Sequence, residues 1–92
     1  MKKELLLINP DIVSKDMENE RYLFNPVTGC IQVINEMGKF IYMNCNGRFS
    51  KNEIIEMVVK NYTGASQEKI RKQVNGFLEK MIRMDLIQSS SK

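Results

Sequence analysis

The stretch from Asn25 to Ile41, NPVTGCIQVINEMGKFI, constrains the fold of this chain more than any other. Pro26 fixes φ and Gly29 permits a positive φ, so NPVTG reads as a turn. CIQVI, residues 30–34, follows as a short β-branched run that predicts a strand. At Asn35 the period changes. Asn35 can cap a helix, Glu36 suits the positive end of its dipole, and Met37, Phe40, Ile41 and Asn44 fall at helical spacing. A strand that passes into a helix without a linker lies either inside a sheet or at its edge. Natural edges are blunted by lysine, proline or inward charges, and CIQVI has none of these. If it is an edge, it is an undefended one.

The rest of the chain sets this stretch in an order of elements. Ile12–Asp16 and Arg21–Asn25 read as two further strands, separated by the polar KDMENE, so that three strands form an antiparallel meander. Asn46-Gly47 is expected to end the first helix. SKNE, Ser50 to Glu53, is a capping box that opens a second helix. Its buried face is Ile54, Ile55, Val58, Val59 and Tyr62, and Gly64 terminates it. Ser66 can cap a longer third helix, made amphipathic by Ile70, Val74, Phe77, Leu78, Met81 and Ile82. The predicted fold is α+β in the order β-β-β-α-α-α, with the helices like a helix-turn-helix core attached to a small sheet. The tail SSSK, Ser89 to Lys92, is expected to fray.

Composition removes whole classes of function. Ninety-two residues make one domain, 1–92, and a chain this short buries only about 60–65% of its unfolded surface. No apolar run is long enough for a transmembrane helix. The MKKELLLINP start is too short in its apolar part for a signal peptide, so the expected compartment is the cytoplasm, without a membrane partner. There is no histidine, which removes the commonest general base and metal ligand. Cys30 and Cys45 show no ligand spacing, so no metal and no cofactor are expected, and they read as two small thiols without a disulfide. A net charge of +3 is too small to argue for nucleic acid.

This order and these punctuation marks resemble the PqqD family, the small proteins of pyrroloquinoline quinone biosynthesis and the wider group of RiPP recognition elements. The resemblance runs over about residues 11–87. It is carried by Leu23-Phe24, Asn25-Pro26, Ile31–Ile34, Asn35 to Gly38, Gly47, Ser50 and Leu86-Ile87. The family's first helix often carries a tryptophan, and this chain offers Tyr42 in that region. What the resemblance implies is a winged-helix-like domain that does no chemistry. It would bind the leader segment of a ribosomally made precursor peptide and deliver it to an enzyme such as a radical SAM maturase, a leader peptidase or a cyclodehydratase.

The residues support such a role independently. An extended peptide can add to a free strand edge, here Cys30, Ile31, Gln32, Val33 and Ile34. Whether Cys30/Gln32/Ile34 or Ile31/Val33 face the peptide is open at the level of sequence. The third helix is the expected second wall. At about 100° per residue, Ile70, Val74, Phe77 and Met81 form its core stripe. Lys69, Lys72, Gly76, Lys80 and Arg83 fall on one flank, with Gln73 and Met84 at its border. Gly76, which costs about 1 kcal/mol against alanine in a helix, would allow close approach of a peptide, unless it only relieves packing against the sheet. The expected ligand carries acidic residues near this helix and apolar anchors against Phe77 and Met84.

Three other functions compete with this one. A DNA-binding winged helix would use Arg48, Lys51 and the third-helix lysines, but no cluster for base reading stands out. An enzyme would need Cys30 or Cys45 as nucleophile without a histidine to activate it. A homodimer could form through Leu5–Ile8 pairing with the free edge; otherwise the chain is a monomer.

Overall fold

The computed structural model describes residues 4–62 and 64–91. The elements run β1 (Glu4–Ile8), β2 (Val13–Asp16), β3 (Arg21–Phe24), β4 (Ile31–Ile34), α1 (Glu36–Met43), β5 (Asn46–Ser50), α2 (Lys51–Asn61), α3 (Gln67–Arg83) and β6 (Ile87–Ser91). The fold is α+β, and the predicted meander and three helices are present. The layout differs from three strands followed by three helices, because a second antiparallel sheet of order β5-β1-β6 accompanies the β2-β3-β4 meander.

That second sheet corrects three expectations. Asn46-Gly47 does not end α1. Asn44 caps the helix, and Asn46 opens a strand that joins α1 to α2 where a plain turn was expected. The serines of the tail do not fray, since Leu5, Leu6 and Glu4 pair with Ser90, Ser89 and Ser91 in β6; Lys92 lies outside the described residues. Leu5–Ile8, offered above as a dimerising strand, has β5 on one side and β6 on the other. Its hydrogen-bonding groups are used within the chain and do not reach the edge of β4.

Local chemistry places the helices where expected. Asn35 Oδ1 accepts the Gly38 amide at 2.9 Å. The Ser50–Glu53 capping box is complete, with Ser50 N–H donating to Glu53 Oε1 at 2.9 Å and Glu53 N–H to Ser50 Oγ at 3.3 Å. Ser66 Oγ accepts the Lys69 amide. Each cap satisfies one or two of the amides that a helix start leaves without partners.

The core gathers one face of every major element. Leu6, Leu23, Ile34, Ile41, Tyr42, Ile54, Val58, Ile70, Val74, Leu78, Met81, Leu86 and Ile87 are buried together. On α3 the buried stripe is Ile70, Val74, Leu78 and Met81, so Leu78 takes the core place assigned above to Phe77, which is only half-buried. Tyr62, expected on the buried face of α2, is half-buried and tilts against Phe40 with ring centroids 6.2 Å apart.

A single carbonyl joins the two sheets. Asp85 stands in the left-handed region with φ 61°, in the turn between α3 and β6. Its carbonyl accepts from Nδ2 of Asn9, after β1, at 2.8 Å and from Nδ2 of Asn25, after β3, at 3.4 Å. Asn9 and Asn25 are buried polar residues, and their hydrogen bonds offset the cost of that burial. Asn25 Oδ1 also accepts the amides of Val27 and Thr28, which shapes the turn into β4.

Candidate functional site: the free edge of β4 and the wall of α3

β4 pairs with β3 on one side, and on its other side it meets no strand among the described residues. The register Phe24↔Ile31, Leu23↔Gln32, Tyr22↔Val33 and Arg21↔Ile34, together with the Asn25 N–H donating to the Cys30 carbonyl at 2.9 Å, decides which groups face the open edge. Hydrogen-bonded and non-bonded pairs alternate along an antiparallel ladder. Gln32 and Ile34 therefore exchange bonds with β3, and the N–H and C=O groups of Ile31 and Val33 point to the free edge.

The side chains divide by the same alternation. Ile34 is 2% exposed and turns inward, with half-buried Gln32 on the same face. Ile31 and Val33, 65% and 40% exposed, turn outward. The question of parity is thus answered for the sheet: Gln32 and Ile34 share the face that looks toward the helices. Cys30 is half-buried just before β4.

α3 flanks this inner side. Asn25, next to Cys30 across the hairpin, is tied to Asp85 beyond the C-terminus of α3. At the other end of β4, Gln73, Val74 and Phe77 line a cleft of about 350 Å³ with Asn35, Met37, Gly38 and Ile41. α3 therefore runs opposite to β4, with Asp85 beyond its C-terminus tied to Asn25 at one end and Gln73 beside Asn35 at the other. The close meeting of α1 and α3 requires Gly38. A β-carbon there would lie 2.9 Å from Ile34 Cβ and 3.3 Å from the Phe77 ring.

The remaining candidate residues of α3 and Met84 are not among those that line this cleft. Lys69, Gly76, Lys80 and Arg83 are exposed, and Met84 is half-buried against the core. A β-carbon at Gly76 would meet nothing within 4 Å, so this glycine does not relieve packing against the sheet. The basic ridge is divided. Lys72 lines a different groove with Arg71, Asn75, Asn52, Ile55 and Glu56, where Arg71 and Glu56 form an ion pair. Asn35, Met37 and Gly38 line the cleft although the sequence reading gave them only a helix start. Their signal was the small residue four positions after Ile34. A wider recess of about 720 Å³ adjoins through Asn35 and Met37, with Met17, Glu18, Asn19, Glu20 and Glu36 around it.

Electrostatics ties the strand sheet to α1. Asp16 on β2 accepts Lys39 Nζ at 2.7 Å, and Arg21 Nε stands 3.6 Å away. The Lys39 hydrogen bond, aided by the charges of Lys39 and Arg21 and opposed by partial desolvation, holds the Asp16 carboxyl below its ordinary range. Burial pushes the Cys45 thiol up to about 12, so it stays protonated, and its Sγ lies 3.4 Å from the Ile41 carbonyl.

These features define a small α+β domain with an open strand edge beside a helical wall. The chain belongs to the PqqD family: the family model described as coenzyme PQQ synthesis protein D matches residues 20–87. A search of curated proteins finds no match. Among solved structures, the fold is similar to that of TbiB1 in complex with the TbiA(beta) leader peptide, with a TM-score of 0.72 and 18% identity over 88% of this chain and 93% of that one. It is also similar to part of the heterocyclase TruD, with a TM-score of 0.65 and 13% identity over 95% of this chain and 12% of that one. The chain thus spans about an eighth of the heterocyclase.

Proposed function

We propose that this domain binds the leader segment of a ribosomally synthesised precursor peptide as an added strand on β4 and hands it to a separate enzyme, without doing chemistry itself. The observation that carries this reading is the free edge at Ile31 and Val33 facing a trough walled by Gln73 and Phe77. The backbone of an extended peptide would pair with those N–H and C=O groups, displacing the Gln32 Nε2 that donates to the Val33 carbonyl at 3.4 Å. Its alternate side chains would then enter the cleft beside Phe77 and Gly38. The whole sheet is antiparallel, and the peptide is expected to continue that pattern.

Membership of the PqqD family supports this reading, as does the likeness to a protein solved with a leader peptide. The likeness to a segment of a heterocyclase supports an enzyme as the recipient. Lys69, Lys80 and Arg83 supply charge for acidic residues of the peptide, which mainly speeds encounter and sets register. The test is amide exchange of the domain with and without the leader of the precursor encoded beside its gene. Slowed exchange at Ile31 and Val33 is expected; protection confined to other elements would exclude strand addition on β4.

A further inference from the structure

Among the described residues, no element covers the outer face of the β2-β3-β4 sheet. The register places Val13, Phe24 and Ile31 in one row and Lys15, Tyr22 and Val33 in the next. Five of these six are large hydrophobic residues exposed to solvent. Val27, 79% exposed, extends the first row into the hairpin turn. Contiguous apolar surface of this kind on a small domain marks an interaction site more often than chance. Scattered exposure would need no explanation, but here the exposed residues share one face of one sheet.

The direction of the added strand says which end matters. A peptide antiparallel to β4 has its N-terminal side at Ile34 and its C-terminal side at Ile31. Its continuation therefore leaves the domain at the 25–30 turn, beside Val27, Phe24 and Val13. Outward side chains of the peptide would also extend the Ile31 and Val33 rows by one strand.

We propose that this outer face is the docking surface for the enzyme that acts on the peptide's C-terminal continuation, meeting it where the peptide leaves the edge. This rests on the strand-addition reading above. The partner surface is apolar and brings a carboxylate to Lys15, which forms no ion pair among the described residues. A second copy of this chain fits less well. An isologous contact places the same surface on both sides, and the two rows themselves bring Lys15 but no carboxylate.

The test separates docking from peptide binding. The double variant Val13→Glu/Phe24→Glu charges the face from β2 and β3 and leaves every residue of β4 and α3 unchanged, with Phe24 the register partner of Ile31. With a fluorescein-labelled leader from the precursor encoded beside the gene, the variant is expected to bind within about twofold of wild type. Conversion of the full precursor by the enzyme encoded there is expected to fall about tenfold or more, the equivalent of a lost interface anchor. Tethering the variant to that enzyme through a Gly/Ser linker raises the effective concentration and is expected to restore conversion. Unchanged conversion, or a loss that tethering does not restore, would overturn the proposal. So would a wild-type dimer that the variant breaks while conversion persists. If thermal melting shows the variant to be unfolded, Val13→Ser/Phe24→Ser carries the same test. Failure of wild type to bind the leader would instead count against the proposed function.

Discussion

Gly38 on α1 faces Phe77 on α3 so closely that a β-carbon at position 38 would stand 3.3 Å from the ring and 2.9 Å from Ile34 Cβ. This approach closes the floor of the trough at the end of β4. Gly38→Val therefore sets a gain in helix propensity of about 0.5 kcal/mol against overpacking that costs about 1–3 kcal/mol. Melting is expected to fall by about 5–15 °C, and leader binding to fall with it as Phe77 is displaced. A thermal melt and a fluorescence titration check both.

Val33→Pro removes an N–H that points to the open edge and takes no part in the β3–β4 ladder. Proline is tolerated at such a position. The variant is expected to keep its circular dichroism spectrum and lose leader binding. Gln32→Pro is the contrast, because it removes a ladder bond to Leu23 and is expected to lower stability.

On α3, size and charge can be separated. Phe77→Ala removes apolar area at about 25 cal/mol per Å² and is expected to weaken leader binding more than Lys80→Ala, since an exposed ion pair contributes only about 0.2–1 kcal/mol. Gly76→Leu adds a side chain into open space. It is expected to melt no lower than wild type and to bind the leader more weakly. Tight binding by a fully stable Gly76→Leu protein would place the peptide away from this helix.

The two thiols should differ in reactivity. Cys45 is buried, with its thiol pushed up to about 12, and Cys30 is half-exposed. A disulfide reagent at pH 8 is expected to label Cys30 alone, and both only in denaturant. Because the folded pKa of Cys45 lies above the ordinary value of 9.0, its contribution to stability is complete below that pH and declines as pH rises toward 12.

Asp16 links β2 to α1 through Lys39, and its carboxyl is held below the ordinary value of 3.8. A depressed pKa contributes stability above 3.8 that is lost as pH falls through the lower folded value. Asp16→Asn is expected to melt below wild type at neutral pH, with the gap closing as the pH falls below 3.8. A gap that stays constant with pH would assign the effect to lost packing.

The sequence by itself determined the local architecture. Ser50 and Glu53 announced a capping box, Ser66 and Asn35 announced helix starts, and Asn25 to Gly29 announced the turn into β4. Each of these signals acts between residues a few positions apart, so the chain carries it without knowing its fold. The free edge of β4, and the turn of α3 that carries Gln73 and Phe77, were legible for the same reason, through the absence of edge-blunting residues and the helical period. What only the tertiary structure decided was non-local. Leu7 pairs with Asn46 and with Gln88, and no property of ELLLI, NGRFS or IQSSS points to the others. The second sheet was invisible until the helices brought those segments together. The parity of β4 was decided the same way. Strand alternation offers two equivalent faces, and the packing of Ile34 against Gly38 selects which one turns toward α3 and which is left outside.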